Sequence, residues 1–146
     1  MPRALVETRL KNDMNVFPKG SQETDFIRGA LQWLDFLKQG RVDNYQAAWD
    51  YLYHPPDEHW NLKLMKDSIE TYGAPYDKEE DLQRFYVTDV DDEVPLSYLE
   101  HDSGPELATI EIDLPLNGEI SQLTAQLIVV PVRNGFGLLL YDIHVL

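Results

Sequence analysis

Cysteine is absent from this chain of 146 residues. Disulfides, thiolate nucleophiles and cysteine-ligated zinc are thereby excluded. Positive charge is scarce: 12 Lys and Arg face 26 Asp and Glu, a formal net charge of -14. Phosphate binding needs clustered cations, so nucleic acid and anionic lipid are poor partners for such a chain. A basic protein is the partner this surface would attract. Long apolar runs are also missing. No window approaches the roughly 20 apolar residues that span a bilayer. Met1-Pro2-Arg3-Ala4-Leu5-Val6-Glu7 reaches charge before an apolar stretch develops, so no secretion signal is expected. The expectation is a cytoplasmic protein with no membrane partner. No catalytic signature stands out, and no metal or cofactor is expected.

What the chain does hold is enough to fold. A hydrophobic fraction of 43% and an aromatic fraction of 11% suit a packed core. The length fits one domain over 1–146, with 1–20 as a weakly patterned N-terminal extension. There Leu5, Val6 and Leu10 suggest a short helical stripe, ended by Pro18-Lys19-Gly20.

Charge is uneven along the chain. Asp77, Glu79, Glu80, Asp81, Asp89, Asp91, Asp92, Glu93, Glu100, Asp102 and Glu106 crowd one window, opposed only by Lys78 and Arg84. Such crowding is tolerable in water and becomes favourable beside a basic partner.

Apolar periodicity of three to four predicts three helices. The first covers Phe26 to Gln39, with Ser21 or Thr24 as its cap and Gly40 as a left-handed C-cap. The second runs from Asn44 to Tyr53, with Asp43 capping and Gln46 at capping-box spacing. His54-Pro55-Pro56 stops it. The third spans about Glu58 to Tyr72 behind Asp57, and Gly73 and Pro75 end it. Strands are expected at Arg84 to Val90, Leu107 to Leu114, Ile120 to Val132 and Gly137 to Val145, with turns at Pro115-Leu116-Asn117-Gly118 and Asn134-Gly135. Between them, Asp91 to Glu106 reads as an acidic connection with a helical turn at Leu96 to Leu99. Alternation buries Ala108, Ile110, Ile112 and Leu114. In the last strand Leu139, Tyr141, Ile143 and Val145 form the more apolar face, which would put Asp142 and His144 outside together with Leu138, Leu140 and Leu146.

The segment Gly40-Arg41-Val42-Asp43-Asn44-Tyr45-Gln46-Ala47-Ala48-Trp49 resembles a helix junction of the NTF2-like (cystatin-like α+β) superfamily. Tyr72-Gly73-Ala74-Pro75 and the closing hairpin Gln126 to Val145 carry the same resemblance, which spans most of 24–146. It implies an α+β fold, with N-terminal helices packed on a curved antiparallel sheet that forms a cone. That superfamily holds isomerases, dehydratases, transport and scaffold domains, and immunity proteins that neutralise bacterial toxins. None of its catalytic positions aligns with this chain, and a shared fold licenses no function by itself.

Two constellations remain as pocket candidates. Tyr53, His54, His59 and Trp60, with Asp57 and Glu58, crowd one helix junction. There a titrating His could work, although the two His lack the i, i+4 spacing of a helical metal pair. The plainer account is a capped turn, with Asp57 as cap, Glu58 near the helix dipole and Trp60 packed inward. Asp142 and His144, two residues apart on a strand, could form a dyad inside the cone or lie solvated outside it. Asp89-Val90-Asp91-Asp92-Glu93 lacks the glycine of a calcium loop, and Pro95 intrudes. Trp33 and Trp49 fall at helical core positions. Three functions stay open: a non-catalytic domain whose acidic region docks a basic protein, such as a toxin-neutralising immunity protein; a small-molecule carrier, isomerase or dehydratase using the cone interior; and a homodimer paired through the outer sheet face.

Overall fold

The first predicted helix carries an apolar stripe expected to form one buried face, Phe26, Ile27, Ala30, Leu31, Trp33, Leu34 and Leu37; all are shielded from solvent except Ile27, half-buried, and Leu31, which is exposed. The structure, a computed structural model, describes residues 16–72 and 84–145. Those residues form β1 (Val16–Pro18), α1 (Glu23–Leu37), α2 (Asn44–Tyr51), α3 (Leu62–Glu70), β2 (Leu96–Glu100), β3 (Ala108–Leu116), β4 (Glu119–Val132) and β5 (Gly135–Val145). The strands make one open antiparallel sheet in the order β1-β5-β4-β3-β2. The fold is therefore α+β, with the three helices preceding the four main strands and packing on their sheet.

Helix ends depart from expectation. Gln22, not Ser21 or Thr24, is the N-cap of α1, and its N–H donates to Asp25 Oδ2 at 2.8 Å. Gly40 does take a left-handed conformation, but α1 has already ended at Leu37, with Lys38 extended. Asp43 occupies the N-cap of α2 with φ 49° and its side chain caps nothing; Gln46 Nε2 donates instead to Asp50 Oδ1. The third helix starts later than Asp57 suggests. Asn61 is its cap, its Oδ1 accepting from Leu64 N at 2.8 Å.

Two connections also differ. Arg84 to Val90 makes a single bridge, Val87 to Leu116, instead of a strand. Its backbone is used by other elements: Gln39 N donates to Val87 O and Asn117 N to Tyr86 O. Conversely, Leu96–Glu100 is strand β2, not a helical turn. The stretch before α1 also holds a strand, β1, rather than a helix ending at Pro18; Leu5, Val6 and Leu10 lie outside the described residues. The turn between β4 and β5 is Arg133-Asn134, one residue earlier than expected, closed by the Val132–Gly135 pair.

The inner face of the sheet alternates as β3 predicts: Ala108, Ile110, Ile112 and Leu114 are fully buried. Leu123, Ala125, Leu127 and Val129 of β4 continue that face. On β5 the expected core face holds only past the bulge, where Ile143 is buried. Leu138 and Leu140 are buried, whereas Tyr141 and Val145 are 59% and 54% exposed. The register explains it. Leu127 pairs with Leu140 and Gln126 with Asp142, so Tyr141 is an extra residue, a bulge that reverses side-chain parity beyond it.

Two glycines let neighbours approach the framework. A Cβ on Gly29 of α1 would meet the Phe17 ring at 2.3 Å, and one on Gly137 of β5 would meet the Tyr53 ring at 2.7 Å.

Candidate functional site

A second stripe, Glu23, Ile27, Leu31 and Leu34 of α1 and Lys38 just past its end, is spaced three and four apart and turned toward β2 and the segment leading to it. Ile27 and Leu31 face Val94, Pro95 and Leu96 across an apolar groove of about 510 Å3, with Glu93 on its rim. A smaller recess of about 200 Å3 continues it past Leu34 and Lys38 to Thr88, Asp89, Val90 and Pro115, sharing Leu31 and Val94. Leu31 is 43% exposed, an apolar side chain left at the surface of α1.

Carboxylates surround this groove in two states. Asp89 is committed: Lys38 Nζ reaches its Oδ1 at 2.6 Å and Asp35 Oδ1 at 3.3 Å. The hydrogen bond to Asp89 holds the Lys38 ammonium above its ordinary range, against an opposing effect of burial. The same bond holds the Asp89 carboxyl below the usual carboxylate range. Arg41 completes the cluster on Asp35 Oδ2 at 2.8 Å. Asp91, Asp92 and Glu93 are exposed and make no ion pair among the described residues. Their charge is available to a partner.

At the far end of β2, Glu100 and Asp102 are likewise exposed. Glu23 at the start of α1 lies close enough to act on Tyr98. Burial pushes the Tyr98 hydroxyl up, and the Glu100 and Glu23 carboxylates add to it. The groove therefore has anionic groups at both ends and one engaged cation, Lys38. Asp77, Glu79, Glu80 and Asp81 of the same sequence window lie outside the described residues.

The helix-junction candidates are brought together, but as a brace. His54 stacks on Trp49 with ring centroids 4.1 Å apart. Its Nδ1 bonds Glu58 Oε2 at 2.7 Å and its Nε2 bonds Trp49 O at 2.7 Å. Both ring nitrogens are occupied within the turn. Glu58 thus serves His54 and not the helix dipole, because α3 begins at Leu62. Tyr53 N donates to Leu138 O, and Trp60 Nε1 donates to Tyr141 O at 2.9 Å. His59 is exposed and joins neither contact.

Asp142 and His144 lie on the outer sheet face, away from the helices. Their expected companions Leu138 and Leu140 point the other way because of the bulge at Tyr141. His144 Nδ1 is 3.1 Å from Asp142 Oδ2, an ion-pair distance without hydrogen-bond alignment, and Asp142 Oδ1 accepts from Ile143 N. Register places His144 beside Thr124 and Asp142 beside Gln126. Thr124 Oγ1 donates to Asp113 Oδ1 at 2.9 Å, and Gln126 Nε2 to Glu111 Oε2 at 3.3 Å. A polar ladder thus crosses the outer face. Near its β2 end, Pro95, Ser97, Glu111, Asp113 and Thr124 line a depression of about 280 Å3.

The interior offers less chemistry. The inner sheet residues and the buried face of α1 pack into one apolar cluster. Two polar atoms in it, Trp33 Nε1 and Tyr45 Oη, have no hydrogen-bond partner. Burial pushes the Tyr45 hydroxyl far up, and the Glu70 carboxylate, near it but short of hydrogen-bond alignment, pushes in the same direction. Among the described residues, no three His, Asp or Glu side chains converge as metal ligands would, and no helix is long and apolar enough to cross a membrane.

The sequence located the acids Asp91, Asp92 and Glu93, but of the apolar floor they border its periodicity put Ile27 and Leu31 in the buried face of the first helix and did not single out Val94. The signal available was the i, i+4 pair Ile27 and Leu31, lying beside the buried stripe of α1 rather than within it. No family model, no curated protein and no solved structure matches this chain.

Proposed function

We propose that this is a protein-binding domain of NTF2-like layout that takes a basic protein segment along the groove between α1 and residues 88–96. The observation that carries this reading is the pairing of an apolar floor, Ile27, Leu31, Val94 and Leu96, with carboxylates at Asp91, Asp92 and Glu93 that are unpaired among the described residues. Apolar contact supplies burial, and surrounding charge supplies steering and partner choice. A toxin-neutralising role is the specific form this suggests: an acidic inhibitor masks the cationic surface of a nuclease. The continuous apolar inner face supports binding over chemistry, since pocket catalysis places polar groups along core-facing positions.

The test uses a short peptide of alternating lysine and valine and a variant carrying Asp91→Asn, Asp92→Asn and Glu93→Gln together. These acids are exposed and make no hydrogen bond or ion pair among the described residues, so the variant should fold normally. Binding to the native protein should weaken tenfold or more as salt rises from about 0.05 to about 0.5 M, because the Debye length shrinks below the spacing of the rim charges. The neutralised variant should bind weakly at every salt concentration. Binding that ignores both salt and the triple substitution would refute the reading.

A further inference from the structure

The proposed basic partner can be given a conformation, and this inference rests on that proposal. β2 is the last strand on its side of the sheet. Asp113 N donates to Pro95 O, and His101 N to Leu107 O. With the register Ser97 to Glu111 and Leu99 to Thr109, these bonds turn the backbone of Ser97 and Leu99 toward β3. The N–H and C=O groups of Leu96, Tyr98 and Glu100 therefore point away from the sheet. Among the described residues nothing bonds to them.

The opposite edge is treated differently. β1 pairs with the start of β5, and where β1 stops, Tyr53 N takes Leu138 O and Trp60 Nε1 takes Tyr141 O. On that edge β1 and two further hydrogen bonds, to Leu138 O and Tyr141 O, engage backbone groups of β5. Among the described residues nothing pairs with the β2 edge, whereas part of its counterpart is engaged, and an unpaired edge is a template for another strand.

What flanks the bare edge describes the incoming strand. On the helix side lies the apolar groove of Ile27, Leu31, Val94 and Leu96. On the outer side lies the depression lined by Ser97, Glu111 and Asp113. Successive side chains of a strand point to opposite faces. The geometry points to strand addition: an extended segment of the partner pairs with the Leu96, Tyr98 and Glu100 backbone, apolar side chains entering the groove and Lys or Arg side chains lying over Glu111 and Asp113. Glu93 and Glu100 meet its two ends. The recognised chemistry is thus a strand of alternating apolar and basic residues.

Backbone N-methylation tests this directly. Two versions of the lysine–valine peptide are made, one methylated on every valine nitrogen and one on every lysine nitrogen. In an added strand all nitrogens of one residue type face β2 and all of the other face solvent. One version should lose binding tenfold or more and the other should match the parent. On the protein, Glu100→Pro removes an outward N–H without touching the ladder to β3, a position where an edge tolerates proline. It should weaken binding severalfold more than Glu100→Gln, which removes only charge. Amide exchange at Leu96, Tyr98 and Glu100 should slow when the parent peptide is added.

If both methylated peptides bind like the parent, or both fail, strand addition is overturned. In the first case the basic-partner reading survives as long as salt still weakens binding. If the unmethylated parent does not bind, or binds without salt dependence, that reading falls as well. Concentration-dependent protection of the same three amides without peptide, alongside a dimer in light scattering, would assign the edge to a second copy and overturn the partner assignment.

Discussion

Gly29 sits inside α1, where glycine normally weakens a helix by about 1 kcal/mol relative to alanine. Here the Phe17 ring fills the space a Cβ would need, at 2.3 Å, and that ring also packs on Phe26. Gly29→Ala should therefore destabilise by about 1–3 kcal/mol, the usual cost of overpacking, instead of stabilising. Urea unfolding measures the sign, and Phe17→Leu in the same chain should recover part of the loss. Tyr45 makes a second residue-level case. Its hydroxyl is buried without a hydrogen bond, and burial holds it protonated well beyond its ordinary 10.0. A group whose folded value is raised lends stability that is complete below its unfolded value and is lost as pH climbs through the folded one. Stability should hold to about pH 10 and decline above it. Tyr45→Phe should cost little or nothing at neutral pH, since it removes an unpaired hydroxyl, and should flatten the alkaline decline. Thermal unfolding from neutral pH to pH values above 10 reads both effects. An unchanged alkaline slope would assign the decline to Tyr51 and Tyr98, whose hydroxyls burial also raises.

Among the elements, β2 gives the sharpest check on the geometry. Hydrogen exchange on the free protein should alternate along it: amides of Ser97 and Leu99, turned to β3, exchange slowly, and those of Leu96, Tyr98 and Glu100 exchange fast. Uniform protection would mean that the edge is covered. The same strand shows where sequence reasoning ends. Leu96 to Leu99 has neither strict alternation nor a turn on each side, and its strand character comes from pairing with β3, a tertiary cause. Alternation was legible in β3, where Ala108, Ile110, Ile112 and Leu114 all face inward. It misled in β5, because an extra residue at Tyr141 reverses parity and no composition signal marks a bulge. Helix existence was legible from periodicity, but the caps were not. Asp57 looks like an N-cap as much as Asn61 does, but Asn61 caps α3 while Glu58 is held by His54.

At the scale of the whole molecule, the order of helices before a strand meander made the α+β class readable. The groove was not readable, because it joins Ile27 and Leu31 to Val94 and Leu96 across more than sixty positions of sequence. Net charge was readable and has two opposed consequences. A formal charge of -14 repels itself within the folded globule, a cost that screening by salt reduces. The same charge attracts a basic strand, a gain that screening also reduces. Raising salt from about 0.05 to about 0.5 M should therefore raise the unfolding midpoint of the free protein while weakening its hold on the lysine–valine peptide. The exposed internal pair Lys38–Asp89 opposes the first trend only weakly, since such pairs contribute little. Reading both responses on one salt series separates the two roles of the carboxylates. In the variant neutralised at Asp91, Asp92 and Glu93, the midpoint should start higher at low salt and respond less to added salt, because three mutually repelling charges are gone. A midpoint that falls with salt in the native protein would show that attraction within its own ion pairs outweighs the repulsion among its carboxylates, contrary to this expectation.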